Sequence, residues 1–346
     1  MAKILSIIIP TYNAEQFLDK GLTSYIMPDK AYMDMLEVLV INDGTPDGSV
    51  AVAQKYVDQY PDTFRIVHKE NGGHGSAINK GVEEATGKYF KIVDADDWVD
   101  TDVLMRTLDI LSKEDFDAAV QSFRAYNITT KEFEYWDIPE DIAGTKTYDM
   151  SEIMQLWEVL DKVLTFHGLI YNTEFYRSQN YKLIEHVYYE DQEYSTIPLC
   201  WAKRVRLIAD ELYVYRVGDV NQSISEANLF KRLDHFQAVI FRMVEFDKRV
   251  DETPAGGYDY WKKKTTRFIT DLYQLTLIRC QDKKKYRQFC NEVSKKLEGT
   301  SPRIYAAVKN KYLVFKVLNL LHMNEDTYRN KFSKLLEWAK KVCRRY

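Results

Sequence analysis

Paired cysteines are the first thing this 346-residue chain lacks. Its four, Cys200, Cys280, Cys290 and Cys343, show no Cys-x-x-Cys spacing and no histidine at zinc-finger distance, so neither a disulfide framework nor a structural zinc is indicated. That usage suits a reducing cytoplasm. Proline and glycine are sparse, at 8 and 14, and no repeat is visible, which excludes a low-complexity or repeat architecture. Long apolar runs are missing too. Lysines interrupt the best candidate, "YAAVKNKYLVFKVLNLL", short of the roughly 20 residues that a spanning helix needs. The N-terminal "MAKILSIIIPTYN" has no long apolar core and no small-residue cleavage site, so it reads as a first strand and not as a signal peptide. Neither Gly-x-Gly-x-x-Gly nor Gly-x-x-x-x-Gly-Lys-Ser/Thr occurs, which removes the main support for dinucleotide-binding and P-loop readings.

What is present describes a folded chain, with 45% hydrophobic and 14% aromatic residues. The length allows two cores. Charge is unevenly spread: residues 262–346 hold 22 Lys+Arg against 7 Asp+Glu, a balance of +15, so the net -4 leaves -19 on residues 1–261. The basic end suits an anionic partner or a solvated helical surface.

Short apolar runs at 4–10, 36–43, 64–69 and 89–96 read as buried parallel strands. Stretches of helical spacing separate them, at about 15–26, 48–60 and 74–86. The alternation predicts a doubly wound α/β sheet with ligands at the carboxyl ends of the strands. Four polar clusters fall at those ends: Pro10-Thr11-Tyr12-Asn13, Asn42-Asp43-Gly44, Asn71-Gly72-Gly73 and Asp94-Ala95-Asp96. A further helix, a strand at "DAAVQSFRAYNI", a helical segment near 151–164, and two strand-like segments after Glu190 and Asp191 complete this part. Helical periodicity takes over near 225, so a boundary is expected between 1–224 and 225–346.

The stretches "SIIIPTYNAEQFL", "VLVINDGTPDGS", "ENGGHGSAINKGVEEATGKYFKIVDADDWV", "YYEDQEY" and "YVYRVGDVNQSIS", in this order, resemble the family 2 glycosyltransferases. The likeness covers about 1–225. It implies a GT-A fold, Rossmann-like and mostly parallel with flanking helices, here followed by an all-helical C-terminal appendage. It further implies a metal-dependent inverting transfer of a hexosyl or N-acetylhexosaminyl group from a nucleotide sugar, UDP-linked on this reading. The acceptor would be a hydroxyl of a glycan, glycolipid or cell-wall polymer.

By the same resemblance Asp96 binds Mn²⁺ or Mg²⁺ directly, and Asp94 orients the ribose or a metal-bound water. Such a cation offsets the charge that builds on a departing diphosphate, which accounts for three carboxylates within four positions. Asp43 matches the residue that accepts a hydrogen bond from the base, while Thr11 and Tyr12 cradle the nucleoside. Asn42 stands where many members have Asp, and Ile78 where many have Arg. Asn71, Gly72 and Gly73 precede a helix start, where amide groups favour an anion; His74 and Lys80 read equally as phosphate contacts or as solvated helix residues. Asp191 is the candidate base that deprotonates the acceptor, with Glu190 beside it. Arg216 and Ser223 match positions that close over the diphosphate, and Asn221 could share that task. Trp98 and His167 are candidate acceptor contacts.

Two alternatives belong to other classes. A nucleotidyltransferase that makes nucleotide sugars would carry a Gly-rich basic loop after the first strand, and "IPTYNAEQF" has none. A non-catalytic partner subunit would not need Asp96 and Asp191. Nucleic acid is not an expected partner, since the strand-end acids oppose a polyanion. Residues 333–346 place Leu335, Trp338, Ala339 and Val342 near one helical face and basic residues mostly elsewhere. Such a helix suits the inner face of a cell membrane, an anionic polymer or a second copy of the chain.

Overall fold

The structure, a computed structural model, describes residues 2–219 and 226–328. Asn221, Ser223, the expected boundary at 224/225 and the segment 333–346 lie outside the described residues.

A ten-stranded sheet forms the centre. Its strands are β1 (Leu5–Thr11), β2 (Leu36–Asp43), β3 (Phe64–Lys69), β4 (Tyr89–Ile92), β5 (Trp98–Val99), β6 (Ala118–Asn127), β7 (Phe133–Trp136), β8 (Thr147–Tyr148), β9 (Leu169–Asn172) and β10 (Val205–Val217). The main path runs β3-β2-β1-β4-β9-β6-β10-β5. All residues of β1 and β2 are buried, because helices cover both faces of the sheet and unbroken apolar runs are then favoured over alternation. β1 pairs in parallel with β2 and β4, and β2 with β3, as expected. Beyond β4 the sheet becomes mixed. β9 is antiparallel to both β4 and β6, and β5, β7 and β8 also pair antiparallel. The two strand-like segments after Asp191 are one strand, β10, whose pairing with β6 shifts register between Ile208 and Tyr213.

Helices α1 (Glu15–Thr23), α2 (Ser49–Gln59), α3 (His74–Glu84) and α4 (Thr101–Lys113) lie between strands, and a single turn, α5 (Asp191–Tyr194), precedes β10. The expected strand 89–96 stops at Ile92: Val93 N still donates to Ile8 O at 3.0 Å, but the chain then turns, with Asp97 N donating to Asp94 O at 3.0 Å. That turn presents the acids beyond the sheet edge.

The C-terminal region is helical: α6 (Leu233–Glu245), α7 (Gly257–Gln274), α8 (Lys283–Thr300) and α9 (Pro302–Leu320). It shares one apolar core with the sheet. On α7, Tyr260 and Trp261 are fully buried, which stabilises by roughly 2–3 kcal/mol each. Tyr260 Oη donates to Ser195 O at 2.7 Å and Lys264 Nζ to Leu164 O at 2.9 Å, so α7 backs the segment that carries Asp191. Burial pushes the Lys264 ammonium down to about 8.

Candidate active site

The first two strand ends are sewn together. Pro10 and Thr11 complete β1, with Thr11 Oγ1 donating to Ile9 O, and Tyr12 projects half-exposed beyond them. Asn13 takes a left-handed conformation, φ 52°, which asparagine tolerates better than most residues. Its amide donates to Thr45 Oγ1 at 2.8 Å, that of Ala14 to Ser49 Oγ at 3.0 Å and that of Glu15 to Asp47 Oδ2 at 3.0 Å. Asp47 is the hub. Burial acts to raise its carboxyl, but bonds from Ser49, Thr45 and backbone amides hold it down at about 2.

Asp43 is buried and holds the third strand end. Its carboxylate accepts Lys69 Nζ at 2.6 Å, Gly72 N at 2.9 Å and Gly73 N at 2.8 Å, and its carbonyl accepts Asn71 Nδ2 at 2.9 Å. A carboxylate offers about four acceptor positions, and these donors take three of them. Gly73 precedes α3 with φ 83°, a conformation that costs glycine least.

Asp94, Asp96 and Asp97 present carboxylate oxygens that all lie within 4.8 Å of one another. Their environments differ. Asp97 is buried, with one oxygen taking the Tyr213 hydroxyl and the other Arg216 N at 2.6 Å; burial, then Asp96 and Asp94, push its carboxyl well up. Asp96 is partly exposed, and burial followed by the Asp94 charge raises it to about 6. Arg216 Nη1 stands 3.7 Å from it. Hard oxygen donors so close together fit a divalent cation; both oxygens of Asp97 are taken by protein donors, while Asp94 gives one oxygen to His74 and Asp96 meets Arg216 only at 3.7 Å, so Asp94 and Asp96 are the ones positioned to hold it. Ala95 lies between them, packed on the core.

His74 joins this cluster to the acid pair. Its Nε2 is 2.9 Å from Asp94 Oδ1 and its Nδ1 2.5 Å from Glu190 Oε1. Burial opposes a charge on the ring, but Asp94 and then Glu190 outweigh it and raise the imidazole well above its ordinary range. On Asp94 burial likewise acts upward, and His74 brings the carboxyl below its usual value. Asp191 follows Glu190 with its Oδ2 accepting Gln192 Nε2 at 2.9 Å; burial and then the Glu190 charge push it up to about 6.

The loop before the pair is pinned to α3. Asn79 exchanges two bonds with Leu183, at 3.0 and 2.9 Å, and His186 N donates to Gly72 O at 2.8 Å. His186 and Tyr189 have φ of 60° and 75°, strain held by these contacts. A Cβ at Gly75 would stand 2.4 Å from Ile184 O and 3.1 Å from Glu190 Cγ. Alanine gains helix propensity of about 1 kcal/mol over glycine, yet the clash is with backbone. Gly75→Ala is therefore expected to destabilise by about 1–3 kcal/mol in a denaturant titration. A midpoint at or above wild type would contradict this packing.

Trp98 lies partly exposed beside the acids, with Lys20 Nζ 3.0 Å above its ring and Tyr126 meeting it edge-on at 5.8 Å. His167 sits among the rings of Tyr215, Tyr213 and Phe123, at 4.4, 4.9 and 5.1 Å, and burial lowers it to about 4. Its carbonyl accepts Lys91 Nζ at 2.6 Å, and burial brings that lysine down to about 7. Arg216 also pairs with Asp219 at 3.1 Å. Sequence reasoning missed the parts played by His74, Lys69, Tyr213 and Lys91, because their partners are remote along the chain. The one available signal was a histidine set in the glycine run before α3.

Residues 6–186 match Glycosyl transferase family 2, and the chain belongs to that family. The fold is of the GT-A class, with a helical region after it. The uncharacterized glycosyltransferase YibD of Escherichia coli is 31% identical over 227 residues, 63% of each chain. EpsJ of Bacillus subtilis, an uncharacterized glycosyltransferase, is 26% identical over 220 residues, so the match spans 62% of that relative's length. The glycosyltransferase GlyG of Streptococcus pneumoniae is 23% identical across 84% of this chain and 95% of its own. A crystal structure of S. aureus TarS 1-349 in complex with UDP-GlcNAc superposes with a TM-score of 0.65 at 15% identity, covering 94% of this chain and 91% of that one. That likeness extends through the C-terminal helices and concerns the fold.

Proposed function

We propose that the chain transfers a hexosyl or N-acetylhexosaminyl group from a UDP-sugar, with inversion, to a hydroxyl of a glycan, glycolipid or cell-wall polymer. One observation carries the reading: the Asp94–Asp97 carboxylates lie within 4.8 Å of one another at a strand end, and His74 ties them to Glu190 beside Asp191. The acids proposed for donor and acceptor are thus joined through one imidazole. Residues 1–224 would hold both substrates, and 225–346 would buttress them.

Asp43 has one acceptor position left for an N–H of the base, which a uracil ring supplies. Tyr12 offers a ring face, Arg216 faces the diphosphate, and Asn221 and Ser223 would close over it, while the Gly72 and Gly73 amides, spent on Asp43, fix that carboxylate for the base. Asp96, with Asp94 beside it, would hold Mn²⁺ or Mg²⁺, which when bound offsets the negative charge of the leaving diphosphate. Asp191 takes the proton from the acceptor hydroxyl; a carboxyl raised to about 6 is a stronger base than an ordinary one and is still ionised at neutral pH. Glu190, fixed by His74, sets the direction of Asp191, and Trp98 and His167 border the space where the acceptor would lie. TarS, whose crystal structure holds UDP-GlcNAc, supports the choice of a uridine donor.

Calorimetric titration with UDP, with and without Mn²⁺, tests the donor site. Binding is expected to require Mn²⁺ in the wild type and to vanish in Asp96→Ala. Equal binding without metal, or undiminished binding in the variant, would remove Asp96 from the donor site.

A further inference from the structure

Helix α9 is apolar on two opposite sides. Ile304, Val308, Tyr312, Phe315 and Leu318 turn into the core. On the other side Leu313, Val314, Val317 and Leu320 are 44%, 41%, 53% and 54% exposed, and Leu321, just past the helix, is 70% exposed. The spacing i, i+1, i+4, i+7, i+8 puts these five on one face. They are half of the ten large hydrophobic residues exposed among the described residues, gathered within nine positions. Scattered exposed apolar residues need no explanation, but a contiguous stripe marks a surface that something covers.

Charge decides between occupants. Lys309 and Lys316 each stand four residues from a stripe residue, Leu313 and Leu320, and so border it. Helices α8 and α9 together carry 10 Lys+Arg against 2 Asp+Glu; of these Arg303 is paired with Asp247 and Asp251, and Lys316 Nζ also donates to Asn291 Oδ1 at 3.0 Å. A second copy docking through the same face would bring two such cationic surfaces together, whereas anionic headgroups complement them. No described helix is long and apolar enough to cross a membrane, so the stripe can lie on a bilayer but not span it.

We propose that α9 lies in the plane of an anionic membrane surface, with Leu313, Val317 and Leu320 in the headgroup–acyl boundary and Lys309 and Lys316 against the headgroups. The segment 333–346, for which the sequence leaves a membrane, a polymer or a second copy open, lies outside the described residues, whereas α9 is packed on the body of the protein.

The experiment is flotation of the full-length protein with vesicles of phosphatidylcholine containing phosphatidylglycerol, and with phosphatidylcholine alone. Wild type is expected to float with the anionic vesicles and more weakly with the neutral ones. The variant L313Q/V317S/L320Q is expected to lose binding about tenfold or more, with an unchanged melting temperature because the replaced side chains face solvent. Wild type that stays with the unbound fraction, or a variant that floats like wild type, would overturn the proposal. So would light scattering that shows a wild-type dimer and a monomeric variant, since a second copy would then cover the face.

Discussion

On the proposed function, Asp96→Ala is expected to lose sugar transfer by about 10³-fold or more, the rate equivalent of the several kcal/mol that a cation supplies to a leaving group, and yet to be no less stable than wild type. The two halves of this result have one cause. Asp96 is held near acids, and its carboxyl is raised to about 6 by burial and then by Asp94. A carboxyl raised in the folded state disfavours folding above that value, and the penalty fades as pH falls and the group protonates. Removing it at pH 7.5 in metal-free buffer relieves that repulsion, so the melting temperature holds or rises. Transfer assays with excess Mn²⁺, together with thermal denaturation in chelator, measure both. A variant that keeps a tenth of wild-type turnover, or that melts well below wild type, would show that Asp96 serves the fold and not the donor.

Asp191→Asn is expected to give the second large effect, a loss of about 10²- to 10⁴-fold in kcat/KM, if Asp191 is the base proposed above. Asparagine keeps the shape and cannot accept the proton. In the wild type the acid limb of kcat/KM is expected to bend at about pH 6, the value to which burial and Glu190 raise the Asp191 carboxyl. Activity is full above that point, since the base is then ionised, and falls about tenfold per pH unit below it. Saturating Mn²⁺ keeps Asp96 ionised, so the bend reports Asp191. The residual activity of the variant has no such bend. A wild-type profile flat from pH 5 to 8 would assign the base elsewhere.

Much of the first half of the fold was legible because β1 and β2 are buried along their whole length and so advertise themselves as apolar runs, and β3 is a short run bounded by turn residues. β2 and β3 begin and end where the runs do. The second half was less so. β9 is four residues long and gains its place only by pairing antiparallel between β4 and β6, a choice that no local pattern encodes. The break expected in β10 is a register shift within one strand. In the site, the acids were visible as a cluster but not their division of labour: Asp97 is set apart by Tyr213, 116 residues away. Lys91 is invisible for a related reason. A lysine in a strand reads as a solvent-facing position, and here its ammonium is buried against the carbonyls of His167 and Leu169.

The imidazole of His74 also limits how this chain can be recombined. It spans two segments that are far apart in sequence, and each supplies the counter-charge that keeps the ring protonated. A chimera that took residues 183–194 from a relative without an acid at position 190 would leave His74 with one carboxylate instead of two. It would also lose the tether that orients the neighbouring Asp191. On the proposed function, acceptor preference is therefore not expected to travel with that segment alone. A graft of that segment has to bring along a matching residue at position 74.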